Sequence, residues 1–154
     1  AGSSWSVYQV PYIVKNKTLK TLLLHEKQIA EHVARFDQMS LAFIGLGSSM
    51  PEKSISYSSG YITLDESRQL VEGGMGADIC GTRVNDKGEI CPNILTHRVL
   101  TVDLSVLKKV PVVVAVAAGA DKAQSLVAGA RGGFFTHLII DEIAAIAMIS
   151  QIEA

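Results

Sequence analysis

The sequence predicts an α/β domain with a mostly parallel sheet and helices on both faces. Three observations carry this. Val112 to Val116 and His137 to Ile140 are short apolar runs, and between them Ala123, Leu126, Val127 and Ala130 recur at helical spacing. Arg131-Gly132-Gly133 closes that helix and Asp141 is a good N-cap for another, so Val112 to Ile149 reads strand, helix, strand, helix. Of the 154 residues 48% are hydrophobic and only 19% charged, which suits one compact core. Continuously apolar strands belong in a parallel sheet covered on both faces. Ligands on such sheets sit beyond the carboxyl ends of the strands. Here those ends are Ala118-Gly119-Ala120-Asp121-Lys122 and Asp141-Glu142.

From the start of the chain, Trp5 to Val14 is rich in strand formers, with Pro11 arguing for an edge or an irregular end. Lys17 to Leu24 carries Leu19, Leu22 and Leu23, a short amphipathic helix. A second helix from about Glu26 to Asp37 has Ile29, Val33 and Phe36 on one face. Leu41-Ala42-Phe43-Ile44 reads as a buried strand, stopped by Gly45-Leu46-Gly47-Ser48-Ser49, and Met50 to Tyr61 as a Ser-rich surface loop. Thr63-Leu64-Asp65-Glu66 is a capping box for a helix that ends at Gly73-Gly74. Met75 to Val84 reads as a strand, Asp86-Lys87-Gly88 as a tight turn and Glu89 to Leu95 as a returning segment. Arg98 to Val102 is extended, and Asp103 caps a short helix that stops before Pro111.

The totals exclude several function classes. A formal net charge of -1 gives no global attraction to nucleic acid or anionic membrane. No apolar run approaches the ~20 residues of a membrane span. Ala1-Gly2-Ser3-Ser4 has neither part of a signal peptide and reads as a vector-derived remnant, so a cytoplasmic location is expected. Two cysteines, Cys80 and Cys91, make no disulfide framework and no metal site; they read as reduced, packed thiols. One domain is expected, with no helix-turn-helix and no basic patch.

Few residues stand out for chemistry. Gly45-Leu46-Gly47-Ser48-Ser49 follows a strand as a phosphate loop does, but Met50 occupies the third glycine position of a dinucleotide fingerprint, so no nicotinamide or flavin cofactor is expected. Lys122, in the first turn after a strand end, can reach a phosphate held by helix N-terminal amides, or be a solvated surface lysine. Asp141 can be a helix cap or a second wall of the same crevice. Asp78, flanked by small and apolar residues, needs a partner, either a sugar hydroxyl or a backbone amide. His25, His32, His97 and His137 are scattered. Neither a Ser/His/Asp set nor an HExxH motif is present, so no catalytic residue and no metal ligand is assigned.

Gly76-Ala77-Asp78-Ile79-Cys80-Gly81 with the Asn85-Asp86-Lys87-Gly88 turn resembles the "GDICG…D..G" segment of the SorC family of bacterial sugar-operon transcriptional regulators. The resemblance continues through Leu104 to Val116, Ala118-Gly119-Ala120-Asp121-Lys122-Ala123, Arg131-Gly132-Gly133 and Ile140-Asp141-Glu142. Val10-Pro11-Tyr12 and Phe43-Ile44-Gly45-Leu46-Gly47 are also similar. It implies an effector domain with the fold of ribose-phosphate isomerase, glucosamine-phosphate deaminase and CoA transferases, binding a sugar or phosphosugar. It implies a ligand site of Asp78, Lys122, Ser48 and Asp141 with Gly47 and Gly119, where Lys122 meets a phosphate and Asp78 meets sugar hydroxyls. Homo-oligomers are implied, with DNA contacted only through a helix-turn-helix domain absent from this chain. Two departures stand out. Ala118 replaces a glycine common at the start of the lysine loop, and the family's first strands, with their Gly/Thr-rich phosphate loop, are missing. The chain therefore reads as part of an effector domain without enzymatic activity. The competing readings are a phosphosugar isomerase or deaminase of the same fold, with Asp78, Asp141 or Glu142 as base, and a purely oligomerising module.

Overall fold

The computed structural model describes residues 4–153. The expectation for Ala1-Gly2-Ser3 lies outside them. Five strands form one sheet in the order β3-β2-β1-β4-β5: β1 is Leu41–Gly47, β2 Ala77–Ile79, β3 Thr82–Val84, β4 Val112–Ala117 and β5 His137–Ile140. β1, β4 and β5 run parallel, with Leu41 opposite Val112 and Val114 opposite His137. β2 pairs antiparallel with β1, and β3 with β2. The fold class is the α/β arrangement that the apolar runs called for.

Helices fill the connections. α1 (Lys17–His25) and α2 (Lys27–Ala34) precede β1, and α3 (Ile55–Ser58) and α4 (Leu64–Glu72) lie between β1 and β2. α5 (Leu104–Leu107) leads into β4, α6 (Ala123–Arg131) crosses from β4 to β5, and α7 (Glu142–Glu153) follows β5. The expected caps are in place. Thr63 Oγ1 accepts from the Glu66 amide while Glu66 Oε2 accepts from the Thr63 amide. Asp103 accepts from the Ser105 amide and Asp141 from the Ala144 amide.

Side chains on a strand alternate between faces, and here the two faces differ. On one, Ile44, Leu46, Val113 and Ala115 pack with Leu104, Leu107, Leu126 and Ala144 in the main core. On the other, Leu41, Phe43, Val116 and Ile139 are exposed, Phe43 by 68%. Leu41 to Ile44 is thus a strand buried on one side only. A second cluster of Ile13, Ile62, Leu70, Met75, Leu95 and Val99 holds the N-terminal segment and α4.

Four segments depart from the sequence expectation. Met75 to Val84 is two short strands, because Cys80 (φ 48°) and Gly81 (φ 79°) both turn left-handed and fold the chain back as a two-residue hairpin. Trp5 to Val14 forms no regular strand; only Ile13 bridges Val99, with flanking bonds Val14 N–H to Arg98 O and Leu100 N–H to Tyr12 O. The same bridge is all that Arg98 to Val102 contributes. The return after Asp86-Lys87-Gly88 is likewise one bridge, Val84 to Ile90. Finally, Met50 to Tyr61 is no plain surface loop. It holds a 3₁₀ turn at Pro51–Lys53 and α3, and it buries Ser54 and Ser56.

Candidate functional site

A crevice of about 660 Å³ opens beyond the carboxyl end of β1, beside the β2–β3 hairpin. Its walls come from four places: Gly45 to Ser48, the Lys53 to Ser59 segment, Asp78 with the Cys80-Gly81 turn, and Lys122, with Tyr12 and Thr101 closing one side. The parallel sheet dictates this location, since β1 and β4 release their chains at the same end.

Gly47 sits opposite Asp78 in the β1–β2 register. A Cβ on Gly47 would lie 2.7 Å from the Asp78 Cβ, so glycine is what lets the two strands close up here. Ser125 Oγ donates to Gly47 O at 2.6 Å, anchoring the strand end to α6. Ser48 is buried; its Oγ accepts from the Met50 amide and donates to Asp121 O. Ser49 donates to Gln124 Oε1, which ties the same loop to the first turn of α6. Lys122 closes the 3₁₀ turn that leads into that helix.

Asp78 is buried, and the partner its setting demands is a side chain the sequence reading missed. Arg83 Nη1 lies 2.6 Å from Asp78 Oδ2, and the Gly81 amide donates to Asp78 Oδ1 at 2.9 Å. Arg83 also donates to Gly81 O and, through Nη2, to Ser56 Oγ at 2.8 Å. The guanidinium therefore staples the hairpin turn, α3 and Asp78 together. Burial raises the Asp78 carboxyl, opposed by the Arg83 and Lys122 charges and by the Gly81 amide. With its counter-ion this close, the geometry favours the ionised pair. Burial likewise raises the Cys80 thiol to about 11, so it is no nucleophile at neutral pH. Arg83 was detectable only as a charge in a strand-like stretch, Thr82-Arg83-Val84, whose neighbours are otherwise small or apolar.

Of the residues singled out from sequence, Gly47, Ser48, Asp78 and Lys122 come together on the crevice wall. Gly119 and Asp141 are not part of that wall. The Gly119 amide (φ 91° at this residue) points at both Asp141 oxygens, at 3.1 and 3.2 Å. Asp141 thus caps α7 and braces the turn after β4. Its hydrogen bonds from the Ala144 and Gly119 amides hold its carboxyl below the usual carboxylate range. Glu142 opens α7 and is exposed. The reading also missed Lys53, which reaches the crevice and pairs with Asp121 at 3.1 Å. It lies in the Met50 to Tyr61 stretch, whose composition reads as a Ser-rich surface loop.

Among the described residues no group of three or more His, Cys, Asp or Glu side chains is placed to hold a metal ion. No helix among them is long and apolar enough to cross a membrane.

Comparison with known proteins bears on the family and the fold. The family described as "Putative sugar-binding domain" matches residues 1–150. The transcriptional regulator LsrR of Escherichia coli (strain K12) is 28% identical over 152 residues, 97% of this chain and 48% of LsrR. The chain spans about half the length of the curated relatives it matches. Among solved structures, one described as the "Putative Sugar-Binding Domain of Transcriptional Repressor" from Vibrio fischeri superposes with a TM-score of 0.84 at 23% identity, over 96% of this chain and 58% of that one. Full-length SorC, the sorbitol operon regulator of Klebsiella pneumoniae, superposes at 0.80 with 16% identity, over 91% of this chain and 44% of that one. Those two likenesses speak for the fold; the family match speaks for descent. The chain belongs to the family of the putative sugar-binding domain.

Proposed function

We propose that this chain is the effector-binding part of a bacterial regulator of carbohydrate catabolism, taking a sugar or phosphosugar into the crevice beside Asp78 and Lys122. The observation that carries the reading is the pairing, in one crevice of a sugar-binding-domain fold, of a buried carboxylate and a lysine at the start of a helix. Lys122 meets a phosphate or another anionic end, Asp78 takes sugar hydroxyls, and Gly47 and Ser48 line the floor between them. Gly119 and Asp141 act on the ligand indirectly, by holding the turn that carries Lys122. Binding stabilises one arrangement of the domain and of its homo-oligomer. DNA affinity then changes through the difference in ligand affinity between arrangements. A DNA-reading helix-turn-helix and the family's phosphate loop belong, on this reading, to chain outside these 154 residues, in a cytoplasmic protein. The half-length coverage of the relatives supports that division.

The reading assigns no catalysis and no cofactor. Asp78 is the carboxylate nearest the ligand, and Arg83 already engages it; a general base would have to be released from that pair. A thermal-shift panel of sugars and phosphosugars on this chain and on the whole gene product, with Lys122→Ala alongside, tests the proposal. At a ligand concentration near 100 Kd a specific site adds roughly 2.7 kcal/mol, or several degrees in Tm. A shift that Lys122→Ala removes, with the ligand recovered unchanged, is the expected result. Absence of any shift in both proteins, or steady conversion of the ligand, would overturn it.

A further inference from the structure

Lys53 and Lys122 are the two lysines of the crevice wall, and they stand differently. The ion pairs of the described residues join Lys53 to Asp121, Arg68 to Glu52 and Asp65, and Arg83 to Asp78; Lys122 is in none of them. Lys53 is committed, but loosely. Its Nζ lies 3.1 Å from Asp121 Oδ1, and its side chain is 54% exposed against 19% for Asp121. Asp121 is the residue before Lys122, in the 3₁₀ turn Ala120–Lys122. The carboxylate that Lys53 holds is thus next in sequence to the other lysine of the site.

The charges here do not balance. Arg83 answers Asp78, and Glu52, the residue before Lys53, is engaged by Arg68. Two ammonium groups are left to share the Asp121 carboxylate. Burial works to raise that carboxyl, but the hydrogen bond and charge of Lys53 outweigh it and hold it below its ordinary value. Asp121 therefore depends on Lys53 more than Lys53 depends on it. An exposed ion pair is worth little. An ammonium with three donors on a flexible stem changes partner easily, and an oxyanion is a strong acceptor for it. The two backbones are anchored apart from the pair. Ser67 Oγ donates to Pro51 O at the turn Pro51–Lys53, and Ser48 Oγ donates to Asp121 O. Lys53 can swing without either turn following it.

We propose that Lys53 is a ligand-contacting residue of the crevice, stored on Asp121 while the crevice is empty and transferred to the anionic group of a ligand seated at Lys122. Asp121 is then a built-in competitor. It lowers the affinity for every anion, and only a ligand with an anionic group draws Lys53 away; a neutral sugar leaves the pair intact. The proposal rests on the crevice being the effector site and adds to it a second cation and the carboxylate that opposes binding.

Sulfate is the probe, because it is a tetrahedral anion whose charge does not change near neutral pH. It is titrated calorimetrically into this chain, Lys53→Met, Asp121→Asn and the double variant at constant ionic strength, with Lys53→Arg and Lys122→Ala alongside. None of the altered side chains is buried. Asp121→Asn should tighten sulfate by up to about fivefold, the worth of an exposed ion pair. The same change should gain clearly less in the Lys53→Met background, where no lysine remains to be released. Lys53→Met should weaken sulfate, Lys53→Arg should restore it, and Lys122→Ala should remove it. If Asp121 merely repelled the anion across space, with Lys53 screening it, Asp121→Asn would gain more once Lys53 is gone. That outcome, or an equal gain in both backgrounds, would overturn the proposal. So would sulfate that binds undiminished in Lys122→Ala, or that binds neither this chain nor Asp121→Asn. A neutral sugar found in the thermal-shift panel would leave the effector reading standing in any of those cases, and the sulfate pattern can hold where the panel finds no sugar.

Discussion

Gly47 has no Cβ, and Asp78 sits where that atom would reach. The absence of one methyl group thus sets the spacing between β1 and β2 at the crevice. Across the hairpin, Arg83 turns the buried Asp78 carboxylate from a liability into a fixed feature, since breaking such a pair leaves a bare charge in a dry place. Asp78→Asn removes the negative partner and keeps the shape. It should cost about 3–5 kcal/mol in urea unfolding, by leaving the Arg83 guanidinium uncompensated. Combining it with Arg83→Gln should cost clearly less than the two single changes added together. Strict additivity would mean that the pair is not coupled. Neither residue could be paired with the other from sequence, because an ion pair across a hairpin requires knowing where the hairpin turns.

That turn marks the boundary of what the elements disclose in advance. The βαβα unit from β4 to α7 was legible because its apolar runs, glycine stop and caps agree with one another, as did the Thr63–Glu66 capping box. Short β2 and β3 were not separable, since Cys80 occupies a left-handed conformation that non-glycine side chains seldom adopt. The Ser-rich stretch misled for another reason. Ser54 and Ser56 are polar residues buried by the tertiary structure, Ser56 for its bond to Arg83, and composition alone reads them as solvated. Of the site, the glycine, serine, aspartate and lysine of the crevice wall were visible, whereas Arg83 and Lys53 were hidden by their neighbours. At this scale Thr63→Ala should cost about 1 kcal/mol by removing half of the capping box. Asp141→Ala should speed hydrogen exchange at the Gly119 and Ala144 amides, which it accepts from. A ligand-induced shift in Tm should survive it in reduced form, because Asp141 acts on the ligand only through the turn that carries Lys122; an unchanged shift would mean that the turn holds without Asp141.

For the whole molecule, the sheet has one packed face and one bearing Leu41, Phe43, Val116 and Ile139 in the open, the last two 45% and 56% exposed. Contiguous apolar surface of this kind is unusual on a free-standing domain. It should bind the hydrophobic dye ANS at neutral pH in the native state, and Phe43→Glu should cut that fluorescence severalfold with little loss of stability. Background fluorescence from the unaltered chain would mean the face is covered in solution. The register of β1 on β4 has a consequence in time as well. Leu41 pairs with Val112, about seventy residues later, whereas β4, α6, β5 and α7 are joined by short connections. Closing that long loop is entropically costly and slow compared with the local unit. During synthesis β1 leaves the ribosome well before β4, and until β4 follows, the edge of β1 that carries its longer pairing has no partner. That interval is when this chain most needs a chaperone.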